Sequence, residues 1–395
     1  MATWDVIVIG AGAAGLYAGI EAARRGRRTL VLDHARRAGE KIRISGGGRC
    51  NFTNLAIDRA TIPERFLSRN PRFALSALSR HRPRAFLDRI EAAGIAWTEK
   101  ALGQLFCEGS SRQVVDMLTG DLAAAGGMLA LSTPVHGVEG AGPFDVLTDR
   151  GPERAARVIV AAGGRPIPKM GATDLGLRIA RAHGLPVTET RPALVPLTFE
   201  GAPRDRMAAL AGTAVQGAVA AGGAAFADGV LFTHRGLSGP SVLQASSYWR
   251  EGGDVTVDLV HGADLAARLA ERRRQGGRIG LAAALAAHLP ERVARDAVAR
   301  AGLSGNLADQ PNAALDRLAG AVHAWTLTPS GSEGYRTAEV MLGGVDTDAL
   351  DPRTMEARAV PGLHFVGETV DVTGWLGGYN FQWAWSSGWA AAQAV

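Results

Sequence analysis

One stretch near the start of the chain limits what the rest can fold into. Val6-Ile7-Val8-Ile9 is an unbroken β-branched run, and Gly10-Ala11-Gly12-Ala13-Ala14-Gly15 follows at once. Small residues then continue to about Arg25, where Gly26 intervenes, and Thr29-Leu30-Val31-Leu32-Asp33 restores the strand character. An apolar run without alternation suits a strand covered on both faces of a parallel sheet. Together the segments read as one βαβ unit of an α/β fold. The glycine spacing has a mechanical meaning. The first glycine makes the tight turn, the second lets the backbone approach a pyrophosphate, and the third lets helix and strand pack closely. Ala13 and Ala14 then sit in the first helical turn, where free N–H groups face the phosphates. Asp33, at the end of the second strand, is placed to accept hydrogen bonds from a ribose and to disfavour a 2′-phosphate, with His34 beside it. No second Gly-x-Gly-x-x-Gly follows. One nucleotide site holding a resident cofactor is therefore expected, with any pyridine nucleotide docking transiently.

Composition narrows the class further. At 395 residues the chain is expected to form two or three domains. With 47% hydrophobic and 21% charged residues it is not a disordered chain. No apolar run reaches the ~18 residues of a membrane span. Met1 leads almost directly into the first strand with no basic segment, which does not read as a secretion signal. The two cysteines, Cys50 and Cys107, make neither a disulfide framework nor a four-ligand zinc site, so a reduced cytoplasmic protein without a metal is the expectation. The net charge of +5 invites a nucleic-acid reading. However, only Lys41, Lys100 and Lys169 among the 43 basic residues are lysines, and this arginine excess beside heavy Ala and Gly use has the look of GC-rich coding.

Further along, residues 64–93 read as helical and basic, and 112–125 as an amphipathic helix closed by Gly126-Gly127. Strand-like pieces lie near 128–138, 143–149 and 157–161. The expected organisation is a nucleotide-binding first part over 1–189, a small β-rich domain over 190–262, a helical insertion over 263–320 and a return through the β domain over 321–335. Residues 336–395 form a second part of the nucleotide-binding domain.

The run Lys41-Ile42-Arg43-Ile44-Ser45-Gly46-Gly47-Gly48-Arg49-Cys50-Asn51 is the most distinctive in the chain. Three consecutive glycines answer no helix or strand propensity. They fit a loop whose backbone lies against a planar ligand or binds phosphate oxygens, with Arg49 and Asn51 fixing a ring or phosphate.

At this point the chain resembles the BaiN/RdsA-type NAD(P)/FAD-dependent oxidoreductases, the flavoprotein family that also contains aminoacetone oxidases. Ser45 to Asn54 is similar to the family's Ser-Gly-Gly-Gly-Arg-Cys-Asn-x-Thr-Asn, and Leu231 to Pro240 to its Leu-Phe-Thr-His-x-Gly-x-Ser-Gly-Pro. Asp351 to Glu356, Pro361 to Glu368 and Gly377 to Gln382 resemble its closing segments. The resemblance implies a Rossmann-type FAD-binding domain in two sequence segments, interrupted by a small β-barrel-like domain and a helical insertion. It places Lys41, Ser45, Cys50, Ala162, Gly163 and Gly164 in the cofactor set, with Val135 touching the adenine through its backbone. Gly367, Glu368 and Asp371 would face the ribityl-phosphate side. Gly377, Gly378, Tyr379, Asn380, Phe381 and Gln382 would open a helix toward the flavin pyrimidine, where a helix dipole stabilises negative charge. Two segments depart from the family pattern, Arg165-Pro166-Ile167-Pro168 and Gly103-Gln104-Leu105-Phe106-Cys107.

Two residues stand as catalytic candidates. Cys50 is either a nucleophile or acid beside the flavin or a small buried apolar side chain. His234 is either a proton donor or a hydrogen-bonded loop histidine. Residues 65–89 carry Arg65, Arg69, Arg72, Arg80, Arg82, Arg84 and Arg89 with Phe66, Phe73 and Phe86 between them. That pattern is either an RNA footprint or a solvated helix face with its rings turned inward. A second basic cluster, Arg268, Arg272, Arg273, Arg274 and Arg278, lies in the helical insertion. Trp385 and Trp389, four apart, read as packing, and Trp375 as a ring available to a substrate. The expected activity is hydride transfer, driven by NAD(P)H, from flavin N5 to an activated C=C bond of a small molecule. Ribosomal RNA dihydrouridine synthesis and amine oxidation are the alternatives.

Overall fold

The computed structural model describes residues 4–395. They form two units, one built from residues up to Arg191 together with Val340–Val395, the other from Pro192–Glu339.

The first unit is organised around strand Trp4–Ile9, whose last four residues are buried. It pairs in parallel with Thr29–Leu32 on one side and with Gly151–Val160 on the other. Met128–Ala130 extends the parallel sheet beyond Thr29–Leu32. The long strand Gly151–Val160 serves two partners. Its first half runs antiparallel to Phe144–Thr148, and its last three residues run parallel to Leu363–Phe365. A strand more than 200 residues downstream thereby completes the sheet begun by the βαβ unit.

Helix Ala13–Arg24 covers this sheet, and Gly26 ends it in the left-handed region (φ 80°) that a Cβ disfavours. Leu16, Tyr17 and Ile20 are buried on its inner side, each worth about 1.5–3 kcal/mol relative to exposure. Its main helical partner is Tyr379–Ala392, which comes close because a methyl group at Gly388 would stand 2.6 Å from the Ala14 carbonyl oxygen. Tyr17, Phe86 and Trp385 form an aromatic core under the two helices, with Phe86 and Trp385 stacked at 4.1 Å and 7°.

The helix expected over 64–93 is broken into Ile62–Arg65, Leu75–Arg80 and Pro83–Ala92. Pro71 and Pro83 explain the breaks. A proline disfavours helical geometry in the residue before it and cannot donate to the preceding turn.

The second unit is a seven-stranded antiparallel sheet, with Ala214–Ala221 and Ala224–Phe232 as its long central hairpin. Helices Leu265–Arg274, Leu281–Leu285, Glu291–Arg300 and Asn312–His323 belong to the same unit. Their apolar faces share one core with the sheet through Leu269, Val293, Leu318, Val219 and Phe232. Among the described residues no helix is long and apolar enough to cross a membrane.

Candidate cofactor site

The three glycines of the first motif differ in what surrounds them. A Cβ at Gly10 (φ 111°) would meet the Ala161 carbonyl oxygen at 2.4 Å, and one at Gly15 would meet the Gly10 carbonyl oxygen at 1.8 Å. Both positions are closed by backbone. At Gly12, by contrast, nothing lies within 4 Å. The open side of Gly12 adjoins the N-terminus of helix Ala13–Arg24, where backbone N–H groups lack helical partners. A pyrophosphate fits that space, and a side chain would fill it.

Asp33 is held rather than loose. Its Oδ2 accepts from the Ala11 N–H (2.6 Å) and its Oδ1 from the Ala35 N–H (2.8 Å), leaving each oxygen a lone pair for a ribose hydroxyl. The Thr133 N–H bonds the Asp33 carbonyl (2.8 Å), which brings strand Val135–Glu139, and so Val135, to the end of the second strand. His34 lies against Gly171, which follows the divergent Arg165–Pro168 segment.

The same crevice gathers residues from both ends of the chain. Gly367 (φ 64°) comes within 2.9 Å, measured from an added Cβ, of the Ala14 methyl group. Glu368 Oε2 accepts from Lys41 Nζ at 2.8 Å, and its Oε1 accepts from the Met341 N–H at 2.9 Å. A methyl group at Gly164 would touch Glu368 at 3.0 Å, and one at Gly163 would approach it at 3.9 Å. The Glu368 carboxylate thus lies beside Gly163 and Gly164 and holds the Lys41 ammonium. Asp371 is almost wholly buried, accepts from the Arg69 N–H (3.0 Å), and has its pKa raised by burial.

The glycine run does not form a flat strip. Gly46, Gly47 and Gly48 all take positive φ (57°, 66° and 82°), making a left-handed turn at the end of a short helix. Gly47 and Gly48 have nothing within 4 Å of an added Cβ, so their backbone is open to a ligand. The loop is pinned where it returns, with Cys50 N–H to Ser45 O (3.0 Å), Ser111 N–H to Gly48 O (2.8 Å) and Cys107 N–H to Arg49 O (3.0 Å). Asn51 ties it to the C-terminal glycines. Its amide oxygen accepts from the Gly378 N–H (3.3 Å), and its nitrogen donates to the Leu105 and Thr53 carbonyls. Gly377 and Gly378 (φ 102° and 93°) precede helix Tyr379–Ala392. The divergent strand Gln104–Cys107 packs against them, with Gln104 2.8 Å from an added Gly377 Cβ.

Several expected contact residues also use their side chains to position others. Gln382 has no exposed surface. Its oxygen accepts from Thr53 Oγ1 (2.6 Å) and its nitrogen donates to His81 O (3.0 Å) and Ser386 Oγ (2.9 Å), so the amide is spent inside the core. Asn380 clasps the Gly374–Trp375 backbone, and the Tyr379 hydroxyl accepts from Arg65 (2.9 Å). Phe381 stacks on Trp385. Cys50 is fully buried, and that burial pushes its thiol far up, the environment of a small apolar side chain. Trp375 lies under the Arg65 guanidinium. His234 belongs to the second unit, exposed on a turn that Thr233 Oγ1 fastens to the Gly236 N–H (3.0 Å). The sequence reading missed Met341, whose N–H fixes Glu368. No motif marks that contact.

A twisted parallel sheet with one glycine-lined crevice at a helix N-terminus, joined to a second antiparallel unit, defines a Rossmann-type flavoprotein oxidoreductase. The chain belongs to the family described as HI0933-like protein Rossmann domain, whose model matches residues 4–394. It is 45% identical over 400 aligned residues to a protein of Escherichia coli strain K12 named ribosomal RNA dihydrouridine synthase, covering 100% of this chain and 98% of that one. A Haemophilus influenzae protein of the same name is 39% identical, with 98% of each chain covered. A 3-dehydro-bile acid delta(4,6)-reductase of Clostridium scindens is 28% identical, again with 98% of each covered. Among solved structures, the 3-ketosteroid delta1-dehydrogenase of Sterolibacterium denitrificans shares the fold, with a TM-score of 0.52, 14% identity and 99% of each chain covered. FAD is the cofactor of this family, and the open cradle at Gly12 together with the pinned Lys41–Glu368 pair fits it.

Proposed function

We propose that this protein reduces the 5,6 double bond of a uridine in ribosomal RNA, with NAD(P)H as the transient electron donor. The observation that carries the reading is the end-to-end similarity to two proteins named for that activity, over a crevice whose own geometry suits FAD. The preference in the sequence reading for a small-molecule acceptor is reversed on this ground, while the chemistry stays the same. Uracil's 5,6 bond is conjugated to a carbonyl, as is the bond of an enone. When bound, FAD supplies the hydride from N5.

The chain's own residues account for the binding and orientation. The N–H groups at Gly12, Ala13 and Ala14 take the pyrophosphate. Asp33 would accept from the adenosine ribose, and the Lys41–Glu368 pair would stand as a polar, ionic wall of the cradle next to Gly163 and Gly164. The open backbone of Gly47 and Gly48 and the start of helix Tyr379–Ala392 would hold the ring system, the latter favouring negative charge there. Reduction also needs a proton at the second carbon.

The test is mass spectrometry of ribosomal RNA from a strain lacking the protein, scored for dihydrouridine and repeated after complementation. Loss that returns with the gene is the expected result. Unchanged dihydrouridine overturns the RNA assignment. A small enone, the second reading, is then favoured by the bile acid reductase relative. Hydrogen peroxide release with amines, and none with NAD(P)H, would point to amine oxidation instead.

A further inference from the structure

The arginines of residues 59–89 divide sharply once their partners are seen. Arg65 is spent on the Ala56 carbonyl and the Tyr379 hydroxyl, both at 2.9 Å. Arg69 pairs with Asp346 at 2.8 Å, Arg84 with Asp88 and Glu91 at 2.6 Å each, and Arg89 with Glu21 at 2.6 Å. These four are structural. Arg59 and Arg72, by contrast, are exposed and have no ion pair or side-chain hydrogen bond among the described residues, and the same holds for Arg358, nearly 300 residues away. The three meet, with Arg80, around one groove of about 590 Å³, and a smaller adjoining hollow of about 180 Å³ adds Arg82 and shares Arg59.

The acids are outnumbered: five arginines line the two hollows against two carboxylates, Asp348 and Asp58. Asp58 is turned into its own loop, accepting from the Ala60 and Thr61 N–H groups at 2.8 and 3.0 Å. Asp351 accepts from the Arg353 N–H at 2.7 Å. Asp348 is the one carboxylate lining the groove. Arg80 and Arg82 are held in place by backbone carbonyls, Ser76 O and Ser79 O, at 3.2 Å each, and a carbonyl leaves their charge unneutralised. Thr347 and Ser79 also line the groove, and their hydroxyls have no hydrogen-bond partner among the described residues.

We infer that this groove, set by Arg59, Arg72, Arg80, Arg82 and Arg358, is the surface on which the sugar–phosphate backbone of the RNA substrate docks. The inference rests on the RNA reading above and locates the footprint that the sequence spread over residues 65–89. Guanidinium groups take phosphate oxygens in bidentate fashion. A groove this large, with its cations along two connected hollows, suits successive phosphates better than one free anion. Phe73 is the one ring in the groove lining, and it is almost wholly buried, so no ring stands out to stack on a base. Phe66, Phe73 and Phe86 are buried. Docking here reads the backbone and not the bases, which is the positioning part of nucleic-acid recognition.

The test compares wild-type holoenzyme with the triple variant R59Q/R72Q/R358Q and a control of equal charge loss, R154Q/R178Q/R295Q. The probe is unmodified ribosomal RNA from a strain lacking the protein. Equilibrium binding is measured across a salt series, and dihydrouridine formation is followed as KM and kcat. Each lost phosphate contact lowers the slope of log affinity against log salt by about 0.7–0.9. The groove variant is expected to lose a slope of about 2–3 and tenfold or more in KM, with kcat little changed and the control close to wild type. Equal slopes and KM in wild type and groove variant, with dihydrouridine still formed, overturn the groove and leave the function standing. A matching loss in the control also overturns it, by reducing the effect to net charge. Wild-type enzyme that neither binds the RNA nor forms dihydrouridine sinks the function, and the groove with it.

Discussion

Replacing Gly12 by valine separates the cofactor cradle from the fold that carries it. The Gly12 backbone is extended (φ −82°, ψ −166°), a region open to any residue, and an added Cβ meets nothing within 4 Å. The cofactor-free protein should therefore tolerate the change, with stability within about 1 kcal/mol of wild type. The same side chain fills the space a pyrophosphate needs. Displacing one or two hydrogen bonds to a charged group costs about 1.5–3 kcal/mol each. A loss near 3 kcal/mol corresponds to about 100-fold weaker FAD binding. Gly15→Ala is the contrast. Its Cβ would stand 1.8 Å from the Gly10 carbonyl oxygen, so helix and strand must move apart. That overpacking costs about 1–3 kcal/mol and lowers the apo midpoint by several degrees. FAD titration of stripped protein by flavin fluorescence, beside thermal unfolding of the same samples, reads both quantities. Gly12→Val protein that binds FAD within threefold of wild type, or that unfolds as early as Gly15→Ala, would refute the placement of the pyrophosphate.

Two further predictions concern the packing beneath the site. His81 is buried against Tyr17 and Trp389, and burial, aided by the Arg89 charge, lowers its pKa to about 4 from 6.5. Between those values the unfolded chain binds the proton and the folded one does not. Stability should accordingly be full above pH 6.5 and fall by about 3 kcal/mol as pH drops to 4. His81→Phe removes the titrating group while keeping a ring against Trp389, and urea unfolding at pH 7.5 and 4.5 should show a smaller difference for it than for wild type. An identical pH dependence would exclude His81 as the source. Phe86 is wholly buried and stacked on Trp385, so Phe86→Ala should cost about 3–5 kcal/mol in denaturant unfolding. A loss below 1 kcal/mol would show that the aromatic core collapses around the gap.

Legibility in the sequence followed the range of the interactions involved. The βαβ unit and its α/β class could be read because strand, glycine spacing and terminal acid are all local, and helix Arg112–Ala124 stood out for the same reason. The helix expected over 64–93 failed because its periodicity hid two prolines that break it. The side-chain partners of Cys50 and Gln382 could not be read, because they are set by residues such as Ser45, Thr53 and His81 that fold onto them. The division of the arginines was the least legible feature. Whether Arg69 or Arg89 is free depends on Asp346 and Glu21, and no local pattern joins them.

The position of Gly388 against the Ala14 carbonyl also bears on synthesis. Helix Ala13–Arg24 and the Gly10–Gly15 turn leave the ribosome long before Gly367, Glu368 and helix Tyr379–Ala392, which form the other wall of the crevice. At ~5–20 residues per second the gap of roughly 350 residues lasts about 20–70 s. During that interval the second unit, Pro192–Glu339, emerges whole and folds on its own core. The apolar side of Ala13–Arg24 meanwhile lacks its covering helix. Nascent chains stalled before Gly367 have half a cradle, so cofactor capture is a late event in the life of this polypeptide, and its first helix waits with an apolar side uncovered.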